Sequence, residues 1–258
     1  MQKFKKSAWK YIGDYDTWDD ASDNVLGYDL PKIIAKVFAA TEKVLAGDAI
    51  YERDSMLFYT PECNWNIWFA SYRIAQKKGL LHVLDFGGAL GSVYRQHAQL
   101  LTPTIQDISW NIVEQKSFLE VAEKLNCETE LHFHNTIEDV FMNCDIDVVL
   151  FSSVLQYIND YENIFEKVKH VNYIIVDRHP EFCDKDEARF TVQKLMEPIY
   201  NASCHLKIFG KKELEKLFLS KYTILENWQY YSDIKQFFKS KDGKRHEPNW
   251  NVVGKQKY

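Results

Sequence analysis

The chain has 258 residues, 46% of them hydrophobic and 27% charged, enough to bury one sizeable α/β core with a modest extension. A net charge of −5 argues against the clustered basic face that nucleic-acid binding needs. The longest apolar runs are strand-sized, well short of the roughly 20 residues of a membrane helix.

From the N-terminus, a basic opening without an apolar run does not read as a signal peptide. The acids Asp14, Asp16, Asp19 and Asp20 follow. Pro31 then opens a helix with Ile33, Ile34, Val37, Phe38, Val44 and Leu45 on one face. Trp65, Trp68, Phe69, Tyr72 and Ile74 predict a second helix ending near Gly79. Residues 1–78 therefore read as a helical N-terminal extension, and residues 79–258 as the main domain. From residue 80 the texture is strand, turn, helix, repeated. Strands are expected at 80–85, 108–114, 130–134, 146–152 and 173–177, with helices at 93–101, 115–125 and 154–169. This alternation predicts a doubly wound α/β fold around a mostly parallel sheet. Residues 211–219 read as a short amphipathic helix, and 222–230 and 251–257 as two further strands that bring the sheet to seven. Residues 239–246 form a polar turn. Aromatics make up 15% of the chain; core packing accounts for most, a ring-walled cleft for some. Five scattered cysteines with no C-x-x-C pair read as free thiols in a reducing compartment, the cytoplasm.

The chemistry is concentrated where strands end. Asp85-Phe-Gly87-Gly88-Ala89-Leu-Gly91 places three glycines directly after a strand and before a helix. Such a turn lets backbone N–H groups approach a ligand at a helix N-terminus. Dinucleotide sites favour G-x-G-x-x-G after an apolar strand; here an acid comes first and the spacing is D-x-G-x-A-x-G. Glu114 ends the second strand, where its carboxylate suits a pair of vicinal hydroxyls; the alternative is a solvated strand-end acid.

This turn resembles the first motif of class I S-adenosylmethionine-dependent methyltransferases, acid-x-Gly-x-Gly-x-Gly, with Ala89 at the middle glycine. The resemblance implies a Rossmann-like fold, S-adenosylmethionine as cofactor, Asp85 ordering the turn near the cofactor's amino-acid end, and Glu114 on the ribose. Gly87, Gly88, Ala89, Gly91, Gln115, Ser152 and Ser153 complete the expected cofactor contacts. Further segments (Gly27-Tyr-Asp29, Tyr51-Glu-Arg-Asp-Ser55, Ser152-Ser-Val-Leu-Gln-Tyr157, Asp177-Arg178) resemble one methyltransferase subfamily often associated with surface-polysaccharide biosynthesis. That likeness spans nearly the whole chain and implies a small-molecule acceptor, a nucleotide-linked sugar.

Ligands in such sheets bind beyond the carboxyl ends of the strands. His179 is the first candidate for general base because its intrinsic pKa lies near neutrality. Arg178 would bind phosphate or a sugar hydroxyl, and Asp177 would orient a neighbour; an internal Arg–Asp ion pair is the alternative. His134 is second choice for the base. Gln156 and Tyr157 are expected to face the acceptor, unless Ser153 merely caps a helix there. Tyr15, Trp18, Tyr28 and Arg53 are expected to fold over the site as a lid, with Arg53 and Asp54 the part that touches ligand, against an alternative of plain packing. Asp145 and Asp147 begin the fourth strand, the wrong end for a metal, so none is expected. Other readings left open are an amine or phosphate-derivative acceptor, a cofactor-binding protein without turnover, and an NAD-dependent oxidoreductase. A monomer or a homodimer would serve equally.

Overall fold

Residues 9–21, 25, 31–125, 127–182, 184–197, 199 and 201–228 are described in a computed structural model, along with the backbone at 238–239, 245–246 and 252–256. The expected lid residue Tyr28 and most of the polar turn at 239–246 lie outside the described residues. In chain order the elements are β1 (Trp9–Tyr15), α1 (Pro31–Leu45), β2 (Tyr51–Arg53), β3 (Met56–Phe58), α2 (Trp65–Ala75), β4 (Leu80–Phe86), α3 (Ser92–Leu101), β5 (Asp107–Val113), α4 (Lys116–Ala122), β6 (Leu131–His134), α5 (Ile137–Asn143), β7 (Val148–Ser152), α6 (Tyr161–Val168), β8 (Tyr173–Asp177), β9 (Arg189–Leu195), β10 (Ala202–Ile208), α7 (Glu213–Leu219), β11 (Tyr222–Glu226), the paired two-residue strands β12 (Phe238–Lys239) and β13 (Arg245–His246), and β14 (Val252–Gln256).

The main sheet runs in the order β11-β14-β8-β7-β4-β5-β6. Five strands, β6-β5-β4-β7-β8, are parallel, as the strand–helix alternation predicts. β14 is antiparallel to both β8 and β11, so one edge of the sheet ends in an antiparallel pair. The central strands form because both of their faces are buried. Val148, Val149, Leu150 and Phe151 of β7 and Ile174, Ile175 and Val176 of β8 are all at most 1% exposed, the continuous apolar run a covered parallel strand requires. Alternate residues enter two cores. Leu81, Val83, Trp110, Ile112, Leu150 and Ile175 pack against α2 and α3 on one face. Leu84, Val113, Val149, Phe151, Ile174 and Val176 pack against α5, α6 and α7 on the other.

The sequence reading missed two features here. α5 begins with a capping box in which the Thr136 side chain accepts from the Asp139 N–H and the Asp139 side chain accepts from the Thr136 N–H; the Thr-x-x-Asp spacing was the available signal. The expected long helix at 154–169 is instead a one-turn 3-10 helix at Leu155–Tyr157 followed by α6.

A second sheet corrects the description of the N-terminal extension as helical. β1 pairs antiparallel with β9, and β9 with β10, so the start of the chain and the segment after β8 build one three-stranded sheet. β1 bulges between Ile12 and Tyr15. There the Thr191 hydroxyl lies 3.1 and 2.9 Å from the Ile12 and Gly13 carbonyls. Arg189 fastens the same turn through Asp14 at 2.6 Å and through Asp16. α1, this sheet and the β2–β3 hairpin together roof the carboxyl end of the main sheet: Ile33, Val37, Met56, Leu195, Ile199 and Cys204 share one apolar cluster with Ala89 and Leu90 of the glycine turn. Among the described residues no helix is long and apolar enough to cross a membrane.

Candidate active site

The glycine turn leaves β4 and enters α3 through backbone that favours glycine. Gly87 has φ +73° and Gly91, the N-cap of α3, has φ +95°. A Cβ on Gly87 would lie 2.5 Å from Val154 Cγ2, and one on Gly88 would lie 2.7 Å from the Asp85 carboxyl carbon. The first glycine therefore admits the segment after β7, and the second admits the acid. Ala89 takes the place of the middle glycine in the motif this turn resembles, and it adopts φ +50°, a left-handed conformation costing an L-residue about 1–2 kcal/mol. The buried Arg95 donates to the Leu90 carbonyl and holds the end of the turn against α3.

Both expected cofactor acids are at this turn. Asp85 is 1% exposed and accepts from the Trp110 indole N–H at 2.9 Å. Burial pushes its carboxyl up to about 7; the nearby Glu114 charge adds to the shift, while the Trp110 hydrogen bond and Arg178 oppose it. Glu114 directly follows β5. Its Oε1 accepts from the Ala89 N–H at 3.2 Å and its Oε2 from the Gln115 N–H at 2.8 Å. Burial raises its pKa and these two donors oppose the rise. Each oxygen keeps a lone pair, so the carboxylate can brace the turn and still accept from a diol. Gln115 is exposed beside it.

The strand-end cluster is present but arranged otherwise than expected. Asp177 is fully buried and accepts from Asn64 Nδ2 at 3.2 Å, Ser152 Oγ at 3.1 Å and Arg178 Nε at 3.1 Å. Arg178 also donates to Ser152 Oγ at 2.8 Å, and the Ser153 N–H donates to the Asp177 carbonyl at 2.8 Å. Ser153 and Arg178, just past neighbouring strands, both adopt left-handed backbone at φ +58° and +57°. Such conformations persist where surrounding structure fixes them, often at functional sites. The arrangement turns Arg178 toward the glycine turn, where its charge acts on Asp85.

His179 does not fit the general-base role. Its side chain is fully buried, and Nε2 accepts from the Leu155 N–H at 3.0 Å. Burial and the Arg178 charge push its pKa down to about 3. An imidazole whose acceptor nitrogen is occupied inside the core has no lone pair for a substrate proton; it holds the segment after β7 in place instead. His134 is hydrogen-bonded to Asn111 at 3.1 Å, with its pKa lowered by burial.

On the acceptor side, Gln156 is 1% exposed. Its Nε2 donates to Ser153 Oγ at 2.9 Å, while Oε1 is buried without a partner. The Tyr157 hydroxyl donates to Gln193 Oε1 at 2.6 Å, joining the main domain to β9. Arg53 lies over the Tyr51 and Phe58 rings of its own hairpin, 5.8 and 5.3 Å from their centroids. Trp18 packs on His205 at 4.8 Å and Phe190 at 6.1 Å, and Tyr15 pairs with Phe190 across β1–β9. Tyr15 thus belongs to the three-stranded sheet, and Trp18 packs against it.

Several residues of the site went unread in the sequence. Glu52 is 1% exposed; it accepts from the Ser92 hydroxyl in the first turn of α3 and from the Ser55 N–H at 3.0 Å. Burial pushes it up to about 7. His97 is buried with Nε2 accepting from the Asn64 N–H at 3.1 Å, and Asn64 caps α2 while reaching Asp177. The signal for Glu52 lay in Tyr51-Glu-Arg-Asp-Ser55, where the sequence points to Arg53 with Asp54 as the part that touches ligand. Asn64 carries a local signal only as the cap of α2; its reach to Asp177, like the His97–Asn64 and Tyr157–Gln193 contacts, joins residues 33 to 113 apart. Among the described residues no group of three or more His, Cys, Asp or Glu is gathered to hold a metal ion.

No family model and no curated protein matches the chain. Among solved structures it is similar to the N-terminal domain of EvdMO1, crystallised in the presence of SAH and D-fucose, at 14% identity and a TM-score of 0.48, over 90% of this chain and 100% of that one. A S-adenosylmethionine-dependent methyltransferase from Clostridium acetobutylicum aligns at 13% identity and a TM-score of 0.48, over 85% and 98% of the two chains. DesVI from Streptomyces venezuelae aligns at 13% identity and a TM-score of 0.47, over 88% and 98%. At these identities and scores the likenesses decide neither cofactor nor acceptor. Topology and turn define the class: a doubly wound, Rossmann-like domain with a glycine turn and two acids at the point where strand order reverses.

Proposed function

We propose that the chain is an S-adenosylmethionine-dependent O-methyltransferase acting on a hydroxyl of a sugar, such as a nucleotide-linked hexose or heptose. The observation that carries the cofactor half is the pair of carboxylates, Asp85 and Glu114, on either side of the turn. A pyrophosphate at the start of α3 would lie near the Asp85 acid, an unfavourable contact once that acid ionises, whereas an acid in the place of Glu114 suits the ribose of either cofactor. A cofactor with a ribose diol and a cationic amino-acid end meets a hydroxyl acceptor in Glu114 and a counter-charge in Asp85. That cofactor supplies an electrophilic sulfonium methyl group. The protein's work is to hold it, exclude water and place the nucleophile in line. Glu114 would bind the ribose, the N–H groups at the start of α3 would meet the carboxylate end, and Asp85, kept protonatable by burial, would ionise as the ammonium arrives.

The sugar half is supported by the subfamily resemblance and by the acceptor side, where an amide, a phenol and a second amide (Gln156, Tyr157, Gln193) line up. These are hydroxyl-recognising groups rather than an anion or amine cage. Residues 1–78 would act as a lid over residues 79–258; slower hydrogen exchange in β2–β3 on adding cofactor product would support this, and unchanged exchange would count against it.

Titration of the purified protein with S-adenosylhomocysteine, with NAD as comparison, tests the central reading. Micromolar binding of the first and none of the second is expected. Binding of NAD alone would overturn the assignment.

A further inference from the structure

We infer that Asp54 is the base that takes the proton of the acceptor hydroxyl, with Gln156 and Tyr157 holding a neighbouring hydroxyl of the same polyol. The inference rests on the methyltransferase reading and assigns the acceptor site within it.

Asp54 and Ser55 form the two-residue turn of the β2–β3 hairpin, with φ of +50° and +64°. Two-residue hairpins of this kind favour Asn or Asp first and Gly second; Asp54 fits its position, and Ser55 is the strained one. Three contacts fix where this turn sits. Glu52 ties it to Ser92 at the start of α3. The Ser55 hydroxyl donates to the Ile199 carbonyl at 3.2 Å. Met56 packs in one cluster with Ala89, Tyr157 and Cys204. The turn is therefore wedged between the cofactor loop and the β9–β10 strands. Its Asp54 carboxylate is within electrostatic reach of the Tyr157 phenol and the Cys204 thiol.

Among the described residues, the other carboxylates near the loop are engaged. Asp177 is saturated by three donors. Asp85 lies under the turn with Trp110, Glu114 braces Ala89 and Gln115, and Glu52 is buried against Ser92 and Ser55. Asp54 is exposed, and its carboxylate takes no hydrogen bond or ion pair among the described residues.

The second observation is independent. Gln156 is 99% buried, yet its Oε1 has no donor. A buried acceptor left without a donor is costly in a finished fold, so this oxygen marks a place where a ligand hydroxyl belongs. Beside it the Tyr157 hydroxyl gives its proton to Gln193 and keeps lone pairs for a second donor. One hydroxyl of a vicinal pair would donate to Gln156 Oε1, beside the Tyr157 oxygen, while its neighbour faces Asp54. In the reaction the neighbour's O–H proton passes to the Asp54 carboxylate. The freed oxygen pair forms the new O–C bond to the methyl group, and the C–S bond breaks with its electrons left on sulfur. The products are the methyl ether, the neutral thioether and a protonated Asp54.

Two measurements test this. A structure with S-adenosylhomocysteine bound should place its sulfur within about 8 Å of the Asp54 carboxylate, the sum of a methyl bond, an attack distance and a hydrogen bond. Asp54→Asn, which keeps a residue suited to left-handed backbone, should bind S-adenosylhomocysteine within about twofold of wild type. The same variant should lose roughly a hundredfold or more in methyl transfer to methyl glucoside, methyl mannoside or UDP-glucose. A sulfur on the far side of the loop, transfer by Asp54→Asn within threefold of wild type, or wild type that binds the product yet methylates none of these polyols would each overturn the Asp54 assignment alone. Failure of wild type to bind S-adenosylhomocysteine at all would instead remove the reading beneath it.

Discussion

The Trp110 indole N–H, on β5, donates to the carboxylate of Asp85 at the end of β4, 2.9 Å away, with both side chains at most 1% exposed. This contact satisfies the acid in the core but does not offset its burial, and the Asp85 carboxyl sits at about 7. A carboxyl whose folded pKa is raised binds its proton more tightly in the folded state. Its protonated form is fully compatible with folding below the unfolded value near 4, and stability falls as pH climbs from there through about 7. Asp85→Asn should therefore stabilise the free protein at pH 8, by on the order of a few kcal/mol, and change little at pH 4. The same variant should lose cofactor affinity. Thermal unfolding at the two pH values and product titration check both halves; a stabilisation equal at both would contradict the burial account.

The turn itself gives a contrast between adjacent positions. Ala89 holds left-handed backbone, so Ala89→Gly should be neutral to stabilising by up to about 1 kcal/mol, strain relief being partly offset by a freer unfolded chain. Gly88→Ala has no such strain but drives a Cβ to 2.7 Å from the Asp85 carboxyl. It should destabilise by roughly 1–3 kcal/mol and abolish cofactor binding. Urea unfolding of the two variants decides; the reverse order would mean that Asp85 has room the structure does not show.

His179 is assigned to structure. Removing its ring in His179→Ala leaves the Leu155 N–H without its acceptor and a cavity beside Phe209, whose ring centroid is 6.3 Å away. A loss of roughly 2–4 kcal/mol is expected. His179→Gln, able to accept from the same N–H, should recover much of that, and the pH profile of kcat should keep its wild-type inflections. Disappearance of an inflection near neutrality in His179→Gln would restore the base role.

Glu52 offers a check on how the hairpin is fastened. Its pKa of about 7 follows from burial, opposed by the Ser92 hydrogen bond, with Asp54 adding to the rise. As with Asp85, the sign makes ionised Glu52 destabilising above neutrality. Glu52→Gln should keep an acceptor for Ser92 and flatten the fall in melting temperature between pH 6 and pH 8. Glu52→Leu should release the hairpin and lower stability at every pH. Equal melting curves for Glu52→Gln and wild type across that range would show that Glu52 does not titrate there.

Much of the fold was readable in order along the chain. Runs such as Val148–Ser152 and Tyr173–Asp177 are apolar because both sheet faces are covered, and glycines at Gly87 and Gly91 announce left-handed turns because other residues are strained there. These are local facts, written in consecutive residues. They sufficed for the parallel sheet, for the turn with its acids Asp85 and Glu114, and for the strand-end segments where chemistry was expected. The tertiary structure alone decided the rest. The pairing of β1 with β9 joins residues nearly 180 apart, so nothing near Trp9 marks it as a strand in a sheet with Gln193. The same is true of roles. His179 reads as a base from its intrinsic pKa, but burial and the Leu155 N–H remove that capacity; Asp54 reads with Arg53 as part of a lid, and only folding brings its charge within reach of Tyr157. A side chain's type is fixed by sequence, whereas its solvation, its partners and thus its acidity are properties of what the fold packs around it.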